Sequence, residues 1–81
     1  MKKYRVTFGS GRTYSGTPKE IVTQLRNTSM FDRDKPLWLF MQILSNRHRK
    51  YGGEYLNSLT YGTFVRSLKD SVVVSKFEEL N

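Results

Sequence analysis

Phe8-Gly9-Ser10-Gly11-Arg12-Thr13-Tyr14-Ser15-Gly16-Thr17-Pro18-Lys19-Glu20-Ile21-Val22 is the stretch whose reading decides the fold. Gly9-Ser10-Gly11 is turn chemistry, and Gly11 can take the left-handed conformation that closes a three-residue hairpin loop. That loop pairs Phe8 with Arg12 and Val6 with Tyr14. A two-residue Ser10-Gly11 turn would instead split Val6 from Tyr14. Next comes a helix start. Thr17 is a good N-cap, Pro18 suits the first helical position, and Glu20 completes a Thr-x-x-Glu capping box. A hairpin therefore feeds directly into a helix.

Working outward, Tyr4-Arg5-Val6-Thr7-Phe8 alternates with period two and supplies the first strand. The register puts Tyr4, Val6 and Tyr14 on one face and Arg5, Thr7, Thr13 and Ser15 on the other. The capped helix is predicted from Pro18 to Asn27 or Thr28, with Ile21, Val22, Leu25 and Thr28 on its apolar side. Met30–Pro36 reads as a loop with two buried anchors, Met30 and Phe31, followed by alternating charges that a solvated loop carries. Asp34 or Lys35 can cap the next helix, which Pro36 starts.

That helix, roughly Pro36–Lys50, is apolar almost all round in its first half and basic in its second. Leu37, Phe40, Met41 and Leu44 form its best face. Trp38 and Leu39 fall to the sides, where the reading favours packing on the hairpin or under Met30-Phe31; left uncovered, they would be an interface. Gly52-Gly53 ends the helix. Glu54–Leu59 fits either loop or short strand. Tyr61, Phe64, Val65 and Leu68 recur at helical spacing, so Thr60–Asp70 is predicted helical. Val72-Val73-Val74 begins a strand reaching about Phe77, after which Glu78–Asn81 is expected to fray. The prediction is an α+β domain of order β-β-α-α-α-β. Its small antiparallel sheet, the N-terminal hairpin plus the C-terminal strand, packs against three helices.

The run from Phe8 to Val22 resembles a set of small uncharacterised bacterial, phage and mobile-element proteins. These open with a hairpin, Thr-Tyr, Gly-Thr-Pro and a capped helix. The resemblance covers about the first third of the chain. It implies an accessory protein of phage or plasmid type and carries over no activity.

Eighty-one residues make one domain, residues 1–81, with a core that buries about 60% of the unfolded surface. There is no cysteine, which removes a disulfide framework, a thiolate nucleophile and a common zinc site, and fits a reducing cytoplasm. The charged start, Met1–Val6, has no apolar run behind it and does not read as a signal peptide. Leu37–Met41, the longest apolar run, is too short to span a bilayer, so no membrane is expected.

Function is constrained chiefly by charge. Residues 1–53 hold 11 basic and 3 acidic side chains; residues 54–81 hold 3 and 4. Such a surface attracts polyanions. Arg47-His48-Arg49-Lys50, with Tyr51 and Tyr55 nearby, reads as phosphate contacts beside stacking groups. The same cations also suit a helix C-terminus, and Tyr51 continues the apolar row Leu37-Met41-Leu44-His48. His48, the only histidine, lies at the edge of that row and reads as structural. Gly9-Ser10-Gly11 lacks the lysine and helix of a phosphate-binding loop. The carboxylates are scattered, and none suggests a catalytic pair.

The expectation is a non-enzymatic nucleic-acid-binding accessory protein without cofactor or metal. Arg5, Arg12, Arg47, Arg49 and Lys50 would contact phosphates, with Tyr51 or Tyr55 stacking on bases. The alternative is a protein-interaction module, such as a phage-encoded inhibitor, docking on an acidic partner surface.

Overall fold

The computed structural model describes residues 2–50, 60–71 and 73–80, with the backbone alone at 48–50. The Gly52-Gly53 helix stop, the ambiguous Glu54–Leu59 segment and Val72 lie outside the described residues.

The first two strands, β1 (Tyr4–Phe8) and β2 (Thr13–Gly16), pair antiparallel with Val6 opposite Tyr14. The Phe8 N–H donates to the Arg12 carbonyl at 2.8 Å, and Gly11 takes φ +93°, so the hairpin closes in the predicted register. A third strand, β3 (Val74–Glu79), pairs antiparallel with the other edge of β1, giving the order β2-β1-β3. It begins and ends later than its sequence suggests. Val73 lies in a turn, and Glu78 and Glu79, expected to fray, belong to the strand. The reason is cross-strand charge. Glu79 meets Lys2 at 2.9 Å, Glu78 meets Arg5 at 3.7 Å, and the Leu80 N–H donates to the Lys3 carbonyl.

Helix α1 (Pro18–Asn27) starts at the predicted capping box. The Glu20 N–H donates to Thr17 Oγ1 at 3.3 Å, and the Thr17 N–H donates to Glu20 Oε1 at 2.8 Å. The Thr17 backbone N–H first, and then the Thr17 side chain, hold the Glu20 carboxyl below its ordinary range. Thr28, predicted on the apolar face, is instead the exposed C-cap, its hydroxyl sharing a hydrogen bond with Tyr14 Oη at 3.2 Å.

Helix α2 (Leu37–Lys50) begins one residue after Pro36, so neither Asp34 nor Lys35 caps it. Lys35 is turned back instead, its N–H donating to the Asp32 carbonyl at 3.0 Å. Helix α3 (Tyr61–Ser67) is capped by a Thr60/Thr63 box and continues as one 3-10 turn, Leu68–Asp70.

The helices cover one face of the sheet. Tyr4, Val6 and Tyr14 meet Ile21 and Val22 of α1, Phe40 and Met41 of α2, and Phe64, Val65 and Leu68. Phe77 of β3 joins them, its ring 5.4 Å from Tyr4. Each fully buried large side chain stabilises the domain by about 1.5–3 kcal/mol relative to exposure. The other sheet face carries Arg5, Thr7, Thr13 and Ser15 and stays largely exposed, as the alternation predicts.

Candidate nucleic-acid interface

The loop between α1 and α2 departs most from its sequence reading. Met30 and Phe31, expected to anchor it, are 77% and 78% exposed, while Asp32, expected in solvent, is 1% exposed. The inversion has an electrostatic cause. Asp32 Oδ2 accepts from Ser29 Oγ at 2.9 Å and from Arg47 Nη1 at 3.1 Å, and Oδ1 meets Lys35 Nζ at 3.2 Å. A buried carboxylate needs such donors. The Ser29 bond above all, with Lys35 and Arg47, holds the Asp32 carboxyl below its usual range against the opposing effect of burial. Lys35 Nζ also donates to the Phe31 carbonyl at 3.0 Å, and Arg26 Nη1 donates to the Lys35 carbonyl at 3.1 Å. The loop is thus clamped to both flanking helices.

This geometry redefines Arg47. Its side chain is 52% exposed but its guanidinium holds Asp32, so it is first a structural cation. Arg5 lies on the open sheet face, 3.7 Å from Glu78, which Lys76 also approaches at 3.8 Å. Arg12, beyond the end of the hairpin, is exposed and has no ion-pair partner among the described residues. Arg5 and Arg47 therefore stand on different sides of the domain, one on the open sheet and one in the helical layer. Arg49 and Lys50 fall on the last turn of α2, where only the backbone is described, and Tyr51 and Tyr55 lie outside the described residues.

The sequence reading passed over Arg33, which is exposed on the clamped loop. Its only signal was the charge alternation from Asp32 to Lys35. Trp38, favoured for the core, is 59% exposed. It sits on the side of α2 away from the Phe40-Leu44 face, because one residue turns a helix by about 100°.

A shallow groove runs between Thr17, Pro18 and Lys19 of α1 and Thr60, Tyr61 and Gly62 of α3. Both helix starts there are already capped by threonine side chains, which lowers their call for an external anion. Among the described residues no cluster of metal-ligating side chains occurs, and no helix is long and apolar enough to cross a membrane.

Comparison with family models, with curated proteins and with solved structures finds no match to the chain.

Proposed function

We propose that the domain is a non-enzymatic accessory protein that binds nucleic acid through its phosphates. The observation that supports this most is that four of the carboxylates are engaged within the domain, while Asp34 and Asp70 are exposed without an ion-pair partner among the described residues. Asp32 is held by Lys35 and Arg47, Glu20 by the helix cap, Glu78 by Arg5 and Lys76, and Glu79 by Lys2. Arg12, Lys19, Arg33 and Lys69 remain exposed without an ion-pair partner among the described residues. With a net charge of +7, the field outside the domain is that of a polycation. Arg49 and Lys50, with Tyr51 and Tyr55 following in the sequence, add cations and aromatics of the same chemistry to the chain.

Fluorescence anisotropy with random-sequence single- and double-stranded oligonucleotides tests the proposal. Neutralising about 4–6 phosphates gives a slope of log K against log salt near −4 to −5. Arg12→Ala with Arg33→Ala flattens that slope by about 2 units and weakens all sequences alike. Arg49→Ala with Lys50→Ala serves as the second pair. Absence of binding below about 100 μM at low salt, near the weak limit of non-specific association, overturns the proposal.

Exposed Trp38 favours a second reading, a module docking on an acidic protein partner. In that case Trp38→Ala abolishes co-purification of the partner from the native host.

A further inference from the structure

We infer that Met30 and Phe31 form an apolar wedge that enters a base step of duplex nucleic acid while the cations around them hold the flanking phosphates. This rests on the nucleic-acid reading above and names the part of the surface that would deform the ligand.

Single exposed apolar residues are ordinary on protein surfaces. Here two large ones are consecutive, at 77% and 78% exposure, and the next residue is a buried carboxylate. The backbone beneath them is fixed. Asp32 is bonded to Ser29, Lys35 and Arg47, the Phe31 carbonyl accepts from Lys35 Nζ, and the Ser29 N–H donates to the Arg26 carbonyl at 3.0 Å. Folding the two side chains back onto the core would break the Asp32 clamp. Their display is therefore pre-organised, which lowers the ordering cost of binding.

The charge around the wedge selects the occupant. Arg26, Arg33, Lys35 and Arg47 lie on or bond to this loop, which carries Asp32 and Asp34, an excess of two positive charges, with Lys35 and Arg47 paired to Asp32. Asp32 is already satisfied inside the clamp, and Arg33 is exposed two residues beyond Phe31. Apolar tips flanked by arginine and lysine are what a duplex step with its two phosphate rows accommodates. Met and Phe are among the side chains used as such wedges, and inserting them unstacks and kinks the helix. A surface for single strands would instead need successive aromatics along a groove, and this loop carries one.

The test uses the whole chain and a duplex carrying 2-aminopurine, whose fluorescence rises when its base unstacks. Met30→Ala with Phe31→Ala is compared with wild type for affinity, salt slope and fluorescence. Both side chains are exposed, so circular dichroism should show an unchanged fold. Wild type is expected to raise the fluorescence on saturation. The double variant should lose that rise and at least about fivefold in duplex affinity while keeping its salt slope. If wild type binds with the expected slope but fluorescence stays flat and the double variant binds equally well, the wedge is overturned and nucleic-acid binding stands. If the variant loses affinity for single strands only, the wedge is likewise overturned, in favour of stacking on an unpaired base. If wild type binds neither strand form, the underlying reading fails and the wedge with it.

Discussion

Two connections in this small domain, residues 8–18 and residues 28–36, both carry Ser, Thr and Pro and behave oppositely. The first has three glycines and one charged residue; the second has no glycine and four charged residues. The first is closed by bonds between near neighbours. Phe8 reaches Arg12, and Thr17 and Glu20 bond each other. The second is closed by a carboxylate that Ser29 and Lys35 hold from three residues away and that Arg47 also reaches from the second half of the next helix. Short-range bonds write themselves into a sequence as motifs; a bond across a helix leaves no local trace.

The largest effect should come from removing the long-range closure. Asp32→Ala leaves Ser29, Lys35 and Arg47 without their acceptor and is expected to cost about 2–3 kcal/mol, since hydrogen bonds to charged groups are the stronger ones. Urea denaturation measures it; a change under about 0.5 kcal/mol would mean the clamp does not hold the loop. Asp32 also carries a pH signature. Its folded carboxyl titrates below its unfolded value of about 3.9, so its stabilisation is complete above that pH and is lost as pH falls through the lower, folded value. The gap between wild type and Asp32→Asn should therefore be constant from about pH 7 to 5 and close below about pH 4. A gap that widens in acid would show the carboxyl is raised.

Next in size is the short-range corner. Gly16 has φ +132°, and a Cβ there would approach Glu20 Oε1 at 2.9 Å. Gly16→Ala should cost about 1–3 kcal/mol and disturb the cap it adjoins. Thermal melts should place it above Thr17→Ala, which removes one cap bond and costs about 1 kcal/mol. If Thr17→Ala proves as harmful as Asp32→Ala, the contrast between the two connections disappears. The smallest effect belongs to Met30→Ala with Phe31→Ala, expected within about 0.5 kcal/mol of wild type, as for surface sites. A larger loss would mean these side chains support the loop rather than being displayed by it.

Much of the fold was legible for the same reason the first connection was. Alternation fixed the faces of β1 and β2, Gly11 fixed their register, and the Tyr61-Phe64-Val65-Leu68 spacing located α3. The Thr60/Thr63 box was present but lacked the glutamate that makes such boxes conspicuous. Glu78 and Glu79 were misread because their partners, Arg5 and Lys2, come from the opposite end of the chain. Met30 and Phe31 were assigned to the core on hydrophobicity alone, which cannot sense that a neighbouring carboxylate takes the interior place. The candidate site was half legible. Composition identifies a cationic surface, but it cannot tell Arg12, left exposed, from Arg47, held by an internal acid.

The order β2-β1-β3 has a consequence for how the protein is made. The strand at the centre of the sheet is made before both of its neighbours, and one of them, β3, follows the helices. While the ribosome is still extending the chain, hairpin and α1 can form, yet β1 keeps one row of backbone amides and carbonyls unpaired until β3 emerges. An open strand edge of this kind is a template for pairing with other chains. The nascent polypeptide is most vulnerable to intermolecular association in that interval, and anything that slows translation through β3 lengthens it.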